Sequence, residues 1–448
     1  MRRGGNLPEI FHAYDIRGRW GVEIGPVVAQ RLGASVLARS EEPVLVGRDT
    51  RTASRQMHEH FLRGLRAQDH PVIDLGILPT PAMGFATKTL GRRGFVLSPS
   101  HNPVGYVGLK GFSKKGVPIS REWREVAQRF LKTRARPASR SSNGNHRLMS
   151  SRWDWEAGYI AHLTKDRQSG LRVVLDCRGG ATAYVGPKAL RALGAEVIEL
   201  NSGFSPVFFG GSPEPTPENI HPLEEKVVES GADIGITLDG DGDRVLFVDE
   251  TGRRLEAEMV GNFLHKGLSG RGQPLVATVD ASYRCEHHAK VVRTRVGGRF
   301  VAQTMIQSGS QVGFEVSSHF YLSKLAPDSD GLLTACVMLS LLSRLGRRPS
   351  RLRRDFGDIF RSSTTIPFMN LASARAGYRR ICSEWNGKSI ICPDGAYLQL
   401  AGTRTHLRIS NTQPILRLTL ESSSWNRLAK SLPTFRRELA RLGFNVGT

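Results

Sequence analysis

Apolar residues along the first third of the chain fall into two alternating rhythms. Strand-like apolar runs at 43–46, 72–75 and 95–97 predict strands, and the stretches 27–37 and 56–65, with apolar residues three or four apart, predict amphipathic helices. Strands alternating with helices indicate α/β layering. The polar segment 133–151, rich in Arg, Ser and Asn, predicts a linker or exposed loop. The alternation resumes with a strand at 172–176, a helix at 185–193 and a strand at 196–200, then with strand-like runs at 232–238 and 245–248 around an acidic turn. A third unit opens near Gly252 and holds a helix at 331–345. After the Arg-rich segment around Arg351, a fourth unit ends in a helix near 425–442. A chain of 448 residues has room for three or four domains of ordinary size, and the punctuation places them at 1–152, 153–252, 253–358 and 359–448. No solenoid-type repeat is visible.

The acidic turn is Asp239-Gly240-Asp241-Gly242-Asp243-Arg244. Three carboxylates at alternate positions repel one another unless a cation lies between them. In an extended segment they would project to one side, and such hard oxygen ligands suit Mg²⁺ or Ca²⁺ rather than zinc. An EF-hand is the rival reading, because Glu250 occupies the twelfth loop position. It fails at the sixth position, where Arg244 stands instead of Gly, and at the flanks, which predict strands instead of helices. A second chemical cluster is Ser98-Pro99-Ser100-His101-Asn102-Pro103 with Tyr106, Gly108 and Lys110. A Ser in a Pro-bounded turn after the apolar run 94–97 would project from a strand end, where α/β folds place reactive groups.

Together these segments resemble the α-D-phosphohexomutases, whose phosphoserine motif is Ser-His-Asn-Pro followed by Tyr-Asn-Gly and a Lys. Two further segments are similar to loops of that family. Gly313-Phe314-Glu315-Val316-Ser317-Ser318-His319 looks like the sugar-binding loop, and Arg408-Ile409-Ser410-Asn411-Thr412-Gln413-Pro414 like the phosphate-binding loop. The opening 11–18, Gly47-Arg48-Asp49-Thr50-Arg51, Pro79-Thr80-Pro81 and the run 213–219 match in the family's order, so the resemblance spans nearly the whole chain. It implies three similar mixed α/β domains plus a C-terminal α+β domain around a central cleft.

The resemblance also assigns roles. Ser100 is the phosphoserine, which hands its phosphoryl group to a hexose 1- or 6-phosphate. Asp239, Asp241 and Asp243, with Ser100, hold one Mg²⁺ per chain, and a hexose 1,6-bisphosphate serves as intermediate and activator. His101, Lys110 and Arg17 line the reaction centre as candidates for proton transfer and charge neutralisation, a division the sequence leaves open. Tyr14, Arg244, Glu315, Ser317, His319, Arg408, Ser410, Asn411 and Thr412 are the substrate-binding set. A rigid guanidinium fork suits Arg244 to holding the phosphoserine or its loop. Glu315 and Ser317 can bridge adjacent sugar hydroxyls, while Arg408, Ser410, Asn411 and Thr412 take the phosphate that is not reacting.

Departures lie mainly in the sugar-reading parts. Val107 stands where Asn is usual, Ser318 where Gly is usual, Gln413 where Glu is common and Gly298 where many members carry His. The opening 11–18 and the Glu-x-Ser pair favour the phosphomannomutase/phosphoglucomutase branch, with phosphoglucosamine mutase as the alternative substrate reading.

The formal charge of +22 raises a different class, a nucleic-acid or polyanion binder, or a degenerate mutase acting as a sugar-phosphate sensor. Zinc-finger spacing, RNP-type aromatics and basic heptads are missing, which reads against a specific nucleic-acid partner. A sensor needs no phosphorylatable serine. Five scattered cysteines without Cys-x-x-Cys predict neither disulfides nor zinc. The N-terminus shows no secretory apolar region, and no run nears the ~18 apolar residues of a membrane span. The expectation is a cytoplasmic monomer or homodimer whose partner is a hexose phosphate.

Overall fold

The computed structural model describes residues 9–12, 14–38, 42–133, 154–216, 218–384, 389–392, 395–400, 403–409 and 414–444. The chain divides into two compact units, 1–255 with 318–350, and 256–317 with 351–448.

The first unit opens with β1 (Ile16–Arg19), α1 (Pro26–Gly33), β2 (Val44–Arg48), α2 (Thr52–Arg66), β3 (Val72–Ile77), α3 (Thr80–Leu90), β4 (Gly94–Leu97), β5 (Tyr106–Phe112) and α4 (Glu122–Lys132). The sheet order is β1-β5-β4-β2-β3. β2 runs parallel to β3 and β4, whereas β5 is antiparallel to β4 and β1. Helix α2 shows why the apolar spacing works: Met57, Phe61 and Leu65 lie four residues apart and are buried, while Arg55, Glu59 and Arg63 face water. β4 is buried at every position, as its unbroken apolar run predicts.

The same unit continues through α5 (Trp155–Thr164), β6 (Arg172–Asp176), α6 (Val185–Ala192), β7 (Glu196–Leu200), α7 (His221–Ser230), β8 (Ile234–Leu238), β9 (Val245–Asp249) and β10 (Arg254–Leu255). The sheet order β10-β9-β8-β6-β7 repeats the pattern of the first sheet, with β6 central between parallel β7 and β8 and β9 antiparallel to β8. The strand Phe320–Leu322 and helix Gly331–Leu345 complete the unit. That helix packs on α5, α6, β8 and β9 and is buried along most of its length. Asp330 caps it by accepting the Leu333 N–H at 2.9 Å.

In the second unit, strand Leu275–Thr278 lies between parallel strands Val291–Thr294 and Val312–Phe314, the third appearance of the parallel triplet. Farther along, five antiparallel strands follow the spatial order Phe360–Pro367, Ile415–Ser422, Thr403–Ile409, Gly395–Leu400 and Ser389–Cys392. Helices Leu371–Glu384 and Trp425–Arg441 cover this sheet, and Ile366, Ile381, Leu418, Leu428 and Phe435 fill the core beneath them. The architecture is therefore mixed α/β with three similar layered sheets and a last α+β sheet. Among the described residues no helix is long and apolar enough to cross a membrane.

Two local expectations change. The helix expected over 27–37 spans Pro26–Gly33, and the Ser35 hydroxyl folds back onto the Arg31 carbonyl beyond its end. The loop expected at 133–151 lies outside the described residues apart from Thr133, which follows α4.

Candidate active site

Ser100 sits one turn beyond β4, 2% exposed, in the left-handed region at φ 55°. That conformation costs a non-glycine residue about 1–2 kcal/mol, so the surroundings must impose it. They do so through a buried network. The Ser98 hydroxyl accepts the Ser100 N–H at 3.0 Å and donates to Asp49 at 2.9 Å. The Arg51 guanidinium donates to the carbonyls of Ser100, Asn102 and Pro103 at 2.7, 2.6 and 2.7 Å. Beneath the loop runs Gly108 of β5, where a Cβ would stand 2.6 Å from the Ser98 carbonyl oxygen, so only glycine allows this approach.

The aspartates lie between β8 and β9. Their segment is a turn, with Gly242 at φ 79°. The turn still converges the carboxylates: ligand oxygens of Asp239, Asp241 and Asp243 lie within 4.8 Å of one another, all buried. Asp239 Oδ1 accepts the N–H groups of Gly242 and Arg244, and its Oδ2 is 3.2 Å from the donating Ser100 hydroxyl. Asp241 Oδ2 accepts from Thr80 Oγ1 at 2.5 Å and Lys110 Nζ at 2.7 Å, and Asp243 Oδ2 accepts from Lys110 at 2.9 Å. Oδ1 of Asp241 is buried and accepts no hydrogen bond, and Oδ1 of Asp243, also buried, faces His319 Nε2 at 3.4 Å. A buried carboxylate oxygen without a hydrogen bond is costly unless a cation meets it, so the donor set fits a hard divalent ion.

The electrostatics agree with that fit. Burial, together with the neighbouring Asp243 and Asp241, pushes the Asp239 carboxyl well above the usual range. Asp243 goes the other way: burial alone would raise it, but Lys110, His319 and Arg244 hold it well below. Burial alone would likewise lower Lys110, yet Asp241 and Asp243 keep its ammonium firmly protonated. His101 is driven down to about 3 by burial and by the cations Arg244 and Arg17, so its imidazole is neutral at physiological pH.

Arg244 ties the pieces together. Its Nη2 is 2.8 Å from His101 Nδ1, its Nη1 2.7 Å from Glu214 and its Nε 3.3 Å from His319 Nε2, which is itself 3.4 Å from Asp243. Arg17 donates to Asn102 at 2.6 Å and pairs with Asp15 at 2.8 Å. The first unit thus brings together Ser100, His101, Lys110, Arg17, the three aspartates, Arg244 and His319. Tyr14 stands at the surface, its carbonyl accepting the Trp123 indole N–H.

In the second unit Glu315 is buried and accepts the Gly297 N–H at 2.7 Å, which joins the segment after Phe314 to the turn before Gly298. Ser317 is exposed two residues farther along. Arg408 is half-buried on strand Thr403–Ile409, opposite Arg417. Ser410, Asn411 and Thr412 lie outside the described residues. Sequence reasoning assigned no role to Asp49, Arg51, Thr80 or Glu214, although each stands in a motif it quoted.

Models of the phosphoglucomutase/phosphomannomutase α/β/α domains I, II and III match residues 8–136, 157–252 and 259–358. The chain is 33% identical over 457 aligned positions to a phosphoglucosamine mutase of Symbiobacterium thermophilum, covering 95% of this chain and 98% of that one. It is 30% identical to a phosphomannomutase/phosphoglucomutase of Pseudomonas putida, covering 97% and 96%. A solved phosphoglucomutase/phosphomannomutase family protein from Burkholderia thailandensis superposes with a TM-score of 0.84 at 25% identity, over 98% of this chain and 99% of that one. With its domains matched in order, the chain belongs to the phosphoglucomutase/phosphomannomutase family of α-D-phosphohexomutases.

Proposed function

We propose that this phosphohexomutase interconverts the 1- and 6-phosphates of a neutral hexose, mannose or glucose, by way of phosphorylated Ser100. The observation that carries the reading is Ser100 Oγ, 3.2 Å from Asp239 inside a buried carboxylate cluster in which Asp241 Oδ1 accepts no hydrogen bond. Phosphoryl transfer asks the protein mainly to position groups and neutralise charge. The Ser100 Oγ–P bond breaks as a sugar hydroxyl oxygen bonds to phosphorus, and the proton that hydroxyl gives up ends on the freed Ser100 Oγ. The bisphosphate then turns over, and its other phosphoryl group returns to Ser100. Lys110, held protonated, neutralises charge on the group in transit. His101, neutral and facing Arg244, orients the loop. Asp239, Asp241 and Asp243 would hold a Mg²⁺ that supplies further neutralisation at the transferred phosphate. Glu315, Ser317 and His319 read the sugar with Tyr14, and Arg408, Ser410, Asn411 and Thr412 take the second phosphate. A hexose 1,6-bisphosphate primes the serine.

The guanidinium groups of Arg295 and Arg299 lie 5.4 and 5.0 Å from the Phe300 ring, on either side of Gly297 and Gly298. Such a cationic neighbourhood supports a hydroxyl at the sugar's C2 over an ammonium. The phosphoglucosamine mutase of Symbiobacterium thermophilum, at 33% identity, favours a second reading in which glucosamine is the substrate. Assays of kcat/KM on mannose, glucose and glucosamine 1-phosphates, each with its 1,6-bisphosphate, decide between them. A glucosamine preference of tenfold or more would replace the first reading with the second.

A further inference from the structure

Asp241 shares its two carboxylate oxygens unequally. Oδ2 is taken twice, by the Thr80 hydroxyl at 2.5 Å and by Lys110 at 2.7 Å, whereas Oδ1 is buried with no hydrogen bond. Thr80 also donates its backbone N–H to the Asp241 carbonyl at 2.9 Å, so it grips both the main chain and the side chain of this residue. Thr80 itself is rigid: it is the first residue of α3, 4% exposed, and stands between Pro79 and Pro81, whose rings fix the backbone on each side. The grip spans a separation of 161 residues, from the start of α3 to the turn after β8.

We infer that Thr80 is a positioning residue for the metal loop, its hydroxyl occupying Asp241 Oδ2 so that Oδ1 alone is presented to a divalent cation. A carboxylate fixed by an outer hydrogen bond binds a metal without having to freeze its own rotation at the moment of binding, and such partners are typically worth about 10–100-fold in metal affinity. Lys110 cannot do this alone, because it divides its donors between Asp241 and Asp243. The inference rests on reading Asp239, Asp241 and Asp243 as the metal loop.

The test is a Mn²⁺ titration of the full chain followed by electron paramagnetic resonance, with Mg²⁺ as competitor, on the wild type, Thr80→Val and Thr80→Ser. Valine keeps the shape and the backbone N–H but not the hydroxyl; serine keeps the hydroxyl. The expected result is a Mn²⁺ affinity about tenfold or more weaker in Thr80→Val, near-wild-type in Thr80→Ser, with KM for the hexose phosphate at saturating metal unchanged in both. Equal Mn²⁺ affinity in wild type and Thr80→Val overturns the inference while leaving the metal loop standing. Serine as weak as valine also overturns it, because the methyl packing and not the hydroxyl would then matter. A wild type that binds no Mn²⁺ overturns the metal loop itself.

Discussion

Asp49 and Arg51 form an ion pair at 3.1 Å with both side chains about 1% exposed, directly beneath the loop that holds Ser100. Burial would push the Asp49 carboxyl up, and Arg51 opposes it. Three of the remaining guanidinium donors go to loop carbonyls. The second domain repeats the device: Arg178 donates its N–H to Asp176 at 2.8 Å, and its guanidinium binds the carbonyls of Ser212, Phe209 and Asn219, on the segment that delivers Glu214 to Arg244. A planar fork with five donors can bridge a carboxylate and several carbonyls at once, which an ammonium cannot.

Arg51→Met leaves Asp49 buried without its partner and should cost about 3–5 kcal/mol in denaturant unfolding. Arg51→Lys keeps the charge and should fold better, yet it cannot hold three carbonyls. Its kcat should therefore fall at least tenfold with little change in KM. Equal kcat in Arg51→Lys and the wild type would show that the loop holds its shape unaided.

Asp330 should make stability depend on pH. Burial raises its carboxyl to about 6, against roughly 3.9 in an unfolded chain. Between those values the folded state binds a proton that the unfolded state does not, so this contribution is fully present below about pH 4 and is lost as pH rises through 6, a loss on the order of 3 kcal/mol. Asp330→Asn keeps the acceptor for Leu333 N–H and removes the ionisation. Its unfolding free energy should exceed that of the wild type at pH 7.5 and vary less between pH 4 and 6. A residual slope is expected from Asp328, which burial also raises to about 6. An unchanged slope in Asp330→Asn contradicts the assignment.

Ser318 stands at φ 67°, and its carbonyl accepts the Val245 N–H at 3.2 Å. Ser318→Gly relieves about 1–2 kcal/mol of left-handed strain and gives back roughly half of it as unfolded-chain entropy, so thermal unfolding should show a neutral to slightly stabilised protein. Ser318→Val should lose about 2 kcal/mol, because a branched side chain is disfavoured there. Valine tolerated as well as glycine would mean that the loop adopts another backbone conformation.

How much of this was legible in the sequence depends on the range of the interaction. The strands 172–176 and 196–200 and the helix 331–345 could be read to the residue because their apolar patterns are local. The acidic turn was legible as a cluster of carboxylates, since its repulsion is written in adjacent residues and its interleaved glycines allow the backbone to turn. Arg51 and Thr80 were not. Their partners lie 49 and 161 residues away, and nothing in a Gly-Arg-Asp-Thr-Arg or Pro-Thr-Pro segment says which carbonyl or carboxylate the fold will bring to it. The neutral state of His101 was also hidden, because burial and the charges of Arg244 and Arg17 exist only in the folded chain.

The central claim is that Ser100 carries the phosphoryl group in turnover. The direct measurement is to incubate the protein with ³²P-labelled glucose 1,6-bisphosphate, digest it and map the label by peptide mass spectrometry, then chase with unlabelled hexose 1-phosphate. The account predicts label on Ser100 alone, discharged to hexose bisphosphate within the turnover time, and a Ser100→Ala protein that binds sugar phosphate but neither labels nor turns over. Label on another residue, or full turnover in Ser100→Ala, would contradict it.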